Sequence, residues 1–203
     1  MVRQQIIARG IRQPRVIRAL ACLPRHRFTR EEERRAAYYD HAMASDYGQT
    51  ISQPFMVAIM TAELNVQPQH RILEIGTGTG YQTAILAMLC AAVFTVENVP
   101  QLSAAAQARL AQLGLDNIYY RIGDGTMGWK MHAPFDGILV TAGAPVVPEP
   151  LLAQLSDGGR LVIPIGDRNM QMLVRFERHG GEITRTDLLE CRFVPLLGQC
   201  GWQ

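Results

Sequence analysis

The sequence predicts an α/β fold: a doubly wound, Rossmann-like mixed sheet of about seven strands, with an N-terminal helical extension and a C-terminal antiparallel hairpin. Three observations carry this. Between Arg71 and Ile165, short apolar runs alternate with helical patterns. The first run, Arg71–Ile75, ends in a glycine-rich turn, Gly76, Gly78 and Gly80, that opens directly into a helical pattern. After Ile165 the helical patterns stop, and Met172–Glu177 and Glu182–Phe193 read as two strands joined by His179-Gly180-Gly181. A hairpin closing an otherwise parallel sheet fits a mixed architecture.

In chain order, residues 2–9 read as a short helix stopped by Gly10. A second helix starts near Pro14, since proline suits a first turn, and carries Val16, Ile17 and Leu20 on one side until Leu23-Pro24 breaks it. Arg34–Asp40 reads as further helix, and Met43–Ser52 as a polar, glycine-containing loop. From Pro54 to about Asn65 the pattern is helical again; Ser52, just before it, has the place and chemistry of an N-cap.

The sheet begins with strand 71–75, followed by a helix over 80–90. Strand Ala92–Glu97 leads to a helix over 100–113 that Gly114 ends, and strand Asn117–Ile122 leads into Gly123-Asp124-Gly125. Strand Phe135–Thr141 runs into Ala142-Gly143-Ala144-Pro145. A short helix over 148–155 and a turn at Asp157-Gly158-Gly159 precede strand Arg160–Ile165.

Composition narrows the function classes. A chain of 203 residues with 48% hydrophobic content is long enough to bury a full core as one domain. No apolar run reaches the roughly 20 residues of a membrane span, and the N-terminus has no signal-peptide pattern, so a cytoplasmic, membrane-free protein is expected. The four cysteines form no C-x-x-C pair and the five histidines are scattered, so neither a disulfide framework nor a metal site is expected. Net charge is +2, but the first 40 residues hold ten arginines against four acids. That arm reads as a solvated helical face rather than a nucleic-acid surface, because Glu31–Glu33 interrupt it and no exposed aromatics are interleaved.

Ligands of doubly wound folds sit at the carboxyl ends of the strands. Three successive strand ends here carry acids: Glu74, just before the glycines; Glu97, where a carboxylate can accept hydrogen bonds from ribose hydroxyls; and Asp124, placed to meet an adenine amino group. Each alone is an ordinary turn or cap carboxylate; together with the glycine turn they point to an adenosyl cofactor. NAD is a rival for Glu97. The dinucleotide fingerprint, however, reads G-x-G-x-x-G, whereas the glycines here read G-x-G-x-G, and no second nucleotide-binding half follows. With an acid before it, this form resembles motif I of the S-adenosyl-L-methionine-dependent methyltransferases.

Further blocks extend the resemblance over essentially the whole chain: GQTISQPFMVAIM (48–60), RILEIGTGTGYQTAILA (71–87), GDG (123–125), APFDGILVTAGAP (133–145), GGRLVIPIG (158–166) and RFVPL (192–196), with a weaker PRHRF (24–28). Together these resemble the protein-L-isoaspartate O-methyltransferase family. The resemblance implies methyl transfer from S-adenosylmethionine to the α-carboxylate of L-isoaspartyl residues in damaged proteins and peptides. The ester then collapses to a succinimide, returning part of the population to normal aspartate. It implies Ser52 as the active-site serine orienting the acceptor, and Thr50, Ile51 and Gln53 as a segment covering the cofactor. It further implies Gly76, Gly78, Thr79 and Gly80 as the methionine-binding turn, Glu97 as the ribose carboxylate, Asp124 with Gly125 as the adenine edge, and Val194, Pro195 and Leu196 as lining of the peptide cleft. Residues 1–66 are then a helical extension carrying the acceptor-side loop, and residues 67–203 the cofactor-binding core of one domain, acting as a monomer. One departure stands out: Ala44-Ser45-Asp46-Tyr47 replaces the family's usual Leu-Pro-Ile-Gly. This leaves open an aspartate O-methyltransferase acting on a dedicated peptide; a non-catalytic nucleic-acid-binding module is the reading from another class.

Overall fold

A computed structural model describes residues 1–203. The chain opens with a π-helical segment, Val2–Ile7, and α1, Pro14–Cys22, which buries Val16, Ala19 and Leu20. Short 3-10 turns follow at Arg25–Phe28 and Glu31–Ala36. The helix expected over Arg34–Asp40 does not form. The Glu31–Ala36 turn has no buried residue, so no apolar stripe holds a regular helix there.

The expected loop Met43–Ser52 is a small antiparallel hairpin of β1, Met43–Ala44, and β2, Thr50–Ile51, across a turn in which Tyr47 takes φ +56°. Its anchor is the directly opposed pair Met43 and Ile51, both buried, a cross-strand contact too short to give the sequence a strand period. Then comes α2, Pro54–Leu64, buried around most of its circumference and ended by Asn65 in the left-handed region.

The sheet comprises β3 (Arg71–Ile75), β4 (Ala92–Glu97), β5 (Ile118–Ile122), β6 (Phe135–Val140), β7 (Leu155–Gly166), β8 (Gln171–His179) and β9 (Glu182–Cys191), in the spatial order β5-β4-β3-β6-β7-β8-β9. The first five are parallel to one another, whereas β8 pairs antiparallel with β7 and β9 antiparallel with β8, which is the expected mixed sheet closed by a hairpin. The intervening helices are α3 (Tyr81–Ala87), α4 (Pro100–Ala111) and α5 (Glu149–Ala153). β7 begins five residues earlier than its sequence suggests. It absorbs the Asp157-Gly158-Gly159 turn as an irregularity in its pairing with β6, with Gly158 at positive φ.

Strand alternation splits the core into two layers. Ile72, Val93, Leu139 and Val162 face the layer shared with α1–α4, while Leu73, Phe94, Ile138 and Leu161 face the layer under α5. Strand order reverses between β3 and β6, and the carboxyl ends of β3, β4, β5 and β6 open on one side of that switch point. No helix is long and apolar enough to cross a membrane.

Candidate active site

A cavity of about 820 Å³, its open mouth included, lies at the switch point. Its floor is the turn after β3. Gly76 takes φ +95°, and a Cβ there would stand 2.3 Å from Thr141 Oγ1, at the end of β6. That hydroxyl lies 3.0 and 2.8 Å from the carbonyl oxygens of Ile75 and Gly76 and shares its one proton between them, so the close approach that only glycine permits stitches two strand ends together. Gly78 meets the opposite condition: nothing lies within 4 Å of a Cβ there, but its φ of +53° favours glycine, and its N–H donates to Glu97 Oε2, 2.9 Å away.

Glu97 ends β4 and is nearly buried. It also accepts the Val99 N–H on Oε1 at 3.0 Å. Two of the carboxylate's four lone-pair positions are thereby used, leaving capacity facing the cavity it lines. Gly125 lines the same wall, with room for a hydrogen only: a Cβ would stand 2.4 Å from Ile75 Cγ2. Thr50, Ile51, Ser52, Thr79, Val194, Pro195 and Leu196 complete the expected residues that the fold brings to this cavity.

Four expected residues do not line it. Glu74 lies beneath the turn, fully buried, with Oε2 accepting the hydroxyls of Thr83 at 2.6 Å and Thr95 at 2.7 Å. Burial outweighs those two hydrogen bonds and pushes its carboxyl up to about 8, so it is mostly protonated at neutral pH and ties α3 to β4. Gly80 is at the start of α3, packed against Ala106 and Leu110. Gln53 turns away and donates to the Asp40 carbonyl at 3.0 Å.

Asp124 is the fourth. It caps its own turn, with Oδ1 accepting the N–H and hydroxyl of Thr126 at 2.8 and 2.6 Å, while Oδ2 accepts the Gln199 N–H at 2.8 Å. Partial burial raises its pKa, but the Gln199 and Thr126 hydrogen bonds prevail and hold it below the usual carboxylate range. The carboxylate thus anchors the C-terminal strap rather than facing the cavity. The strap's other end is fixed just beyond β6: Gly143 N–H donates to Val194 O, Gly143 O accepts the Leu196 N–H, and Trp202 Nε1 donates to Gly143 O at 3.0 Å. Residues 194–197 are held across the cavity between these anchors.

Ser52 is not an N-cap. Gln53 holds the cap position, no side chain bonds the helix start, and Ser52 lies one residue too early to reach the first-turn N–H groups. Its carbonyl instead accepts Arg25 Nη2 at 2.7 Å. Ser52 and Thr50 border two spaces at once: the cavity above, and a second cleft lined by Arg9, Phe55, Met56 and residues 189–193. Thr141 and Tyr81 also line the cavity and escape motif reading; Thr141 had a signal, its position at a strand end in the Thr141–Pro145 block.

A family model described as protein-L-isoaspartate(D-aspartate) O-methyltransferase matches residues 1–201. The protein-L-isoaspartate O-methyltransferase of Trichlorobacter lovleyi is 50% identical, covering 100% of this chain and 94% of its own. That of Dictyoglomus thermophilum is 48% identical over 96% of this chain and 88% of its own. A Plasmodium falciparum structure, described as a protein-L-isoaspartate O-methyltransferase in complex with S-adenosyl-L-homocysteine, matches with a TM-score of 0.84 at 26% identity. It covers 97% of this chain and 96% of that one.

Proposed function

The chain belongs to the protein-L-isoaspartate(D-aspartate) O-methyltransferase family, and we propose that it transfers a methyl group from S-adenosylmethionine to the free α-carboxylate of L-isoaspartyl residues in damaged proteins and peptides. The observation that carries this reading is the position of Ser52 at the junction of two spaces, one built around the glycine turn and Glu97, the other open to the outside beneath Arg9 and residues 189–193. A donor cavity and an acceptor cleft that meet at Ser52 and its neighbour Thr50 suit in-line group transfer.

The residues present fit S-adenosylmethionine. Glu97 has free lone pairs for ribose hydroxyls, the backbone at Gly76 and Gly78 is bare enough for close approach, and Gly125 leaves the adenine end uncrowded. Thr79 and Thr50–Ile51 would flank the methionine part. When bound, the cofactor supplies a methyl group made electrophilic by a sulfonium.

The acceptor carboxylate is already nucleophilic at neutral pH, so no general base is needed and the chain's task is positioning. The Ser52 hydroxyl and the first-turn N–H groups of α2, which a helix cannot satisfy internally, would orient that carboxylate. Val194, Pro195 and Leu196 would exclude water and line the peptide's path. In this reading residues 1–66 supply the acceptor side and residues 67–203 the cofactor core of one domain, which acts as a monomer in the cytoplasm without a metal or nucleic-acid partner.

Tritiated-methyl transfer to an isoaspartyl peptide beside its aspartyl twin tests the proposal. Labelling of the isoaspartyl peptide alone supports it; equal labelling, or none, overturns it. The altered Ala44–Tyr47 hairpin lines neither space, so nothing in the site favours the aspartyl alternative.

A further inference from the structure

The guanidinium of Arg25 is fully buried, yet it has no carboxylate partner. Two partly buried arginines are paired, Arg160 with Glu177 and Arg175 with Glu63, and Arg71 and Arg109 donate only to backbone carbonyls, but none of these four is fully buried. Arg25 instead donates Nε to the Ala37 carbonyl at 2.8 Å and Nη2 to the Ser52 carbonyl at 2.7 Å. It lies over the Tyr81 ring, 4.9 Å from its centroid, and leaves Nη1 without a hydrogen-bond partner. The groups acting on its charge are two phenols, Tyr81 and Tyr38, and burial lowers its pKa to about 10.

An unpaired buried cation is costly, and breaking even a buried pair costs several kcal/mol. Two carbonyls could be satisfied by the neutral amide of a glutamine, which also carries two N–H donors. Hydrogen bonding therefore accounts for the Nε and Nη2 donors at this position, but neither for Nη1 nor for the charge. The charge has a place to act: Nη2 touches Ser52, which with Thr50 borders both the donor cavity and the acceptor cleft. Two other cations line the cleft: Arg9 is paired with Asp40 and lies 3.4 Å over the Phe55 ring, and Arg192 is exposed to solvent, which screens its charge.

We propose that Arg25 is a positioning residue for the acceptor: it fixes the Ser52 peptide from behind, and its unpaired charge makes the Ser52 corner selective for a carboxylate, which supplies the missing counter-charge on docking. The planar Ser52–Gln53 peptide supports the same geometry, since holding the carbonyl toward Arg25 turns the Gln53 N–H to the opposite side. This inference rests on the proposed isoaspartyl activity and concerns how its substrate is recognised.

The test compares an isoaspartyl peptide with the same peptide carrying an α-carboxamide, each titrated calorimetrically into protein saturated with S-adenosylhomocysteine. The wild type is expected to prefer the carboxylate. Arg25→Gln should reduce that preference about tenfold or more, the size expected for unit charges several ångströms apart at an effective dielectric of about 20. Carboxamide binding should be nearly unchanged, and Arg25→Lys should restore much of the preference. Tyr38→Glu gives an independent arm: Tyr38 is exposed, lines neither space and acts on the Arg25 charge, so a glutamate there offers an internal counter-ion and should also lower the preference.

A preference that survives in both Arg25→Gln and Tyr38→Glu overturns the inference. If Arg25→Gln no longer binds S-adenosylhomocysteine and is therefore misfolded, Tyr38→Glu alone decides. A wild type that does not methylate the isoaspartyl peptide refutes the proposed function instead, and the parallel methylation assay separates the two failures.

Discussion

Gly198 crosses Asp124 so closely that a Cβ on the glycine would stand 2.1 Å from Asp124 Oδ1, and the next residue, Gln199, donates its backbone N–H to Oδ2. The end of the chain is thus folded onto the end of β5, and the strap over the cavity is only as firm as this contact. Asp124→Ala leaves the N–H groups of Thr126 and Gln199 without their acceptor, a loss of about 1–3 kcal/mol. It should also free residues 194–202 to protease and weaken S-adenosylmethionine binding measured by calorimetry. Gly198→Ala should act in the same direction, because its side chain meets the carboxylate head-on. Unchanged affinity in both variants would separate the strap from the cofactor.

Glu97 joins the glycine turn to β4 and is the acid that lines the cavity. Glu97→Gln keeps the shape but replaces one acceptor oxygen with a donor, so either Gly78 or Val99 loses its partner and a ribose hydroxyl loses a charged acceptor. Charge-assisted hydrogen bonds of this kind are worth roughly 1.5–3 kcal/mol each. Cofactor affinity should fall about tenfold to a hundredfold, with melting temperature lowered by only a few degrees. Calorimetry beside thermal denaturation distinguishes this from general destabilisation.

Glu74 sets a pH dependence with an unusual sign. Its carboxyl titrates near 8 in the folded chain against an ordinary value of 4.5. The folded state therefore binds more protons than the unfolded state between those values, and stability falls as pH rises through that window, levelling off above about 8. The contribution is on the order of a few kcal/mol at most. Glu74→Gln retains an acceptor for Thr83 and Thr95 but cannot ionise, so its melting temperature should lose this slope between pH 5 and 8 and match or exceed wild type at pH 8. Parallel slopes for the two proteins would show that Glu74 does not titrate in that range.

How much of this could be read beforehand depended on how local each signal was. Strands β3 and β4 are buried on both faces and read as apolar, β-branched runs, so their bounds match the sequence. β7 misled because Asp157-Gly158-Gly159 has turn chemistry wherever it stands, and only pairing with β6 draws it into a strand. The acids at strand ends are visible in the sequence, but their partners are not. Asp124 meets a residue 75 positions later, and Glu74 points into the layer beneath the turn, contacts that no spacing rule encodes. The paired role of Ser52 was equally hidden, because the two spaces it borders are made by residues from both ends of the chain.

Ser52→Ala separates the two readings of that residue most cleanly. As an N-cap, its loss would cost about 1 kcal/mol and loosen α2. The structure gives the hydroxyl no helix N–H to accept, and α2 is held by burial of nine of its eleven residues. The variant should therefore unfold within about 0.5 kcal/mol of wild type, the range for sites free of such features. It should also bind S-adenosylhomocysteine with unchanged affinity, since the glycine turn and Glu97 are untouched. Methyl transfer to the isoaspartyl peptide should nevertheless fall about tenfold or more, the loss expected when one orienting hydrogen bond is removed from a reacting carboxylate. Chemical denaturation, calorimetry and turnover measured on one preparation give three numbers. Early unfolding with normal turnover of the folded fraction would return Ser52 to a purely structural role.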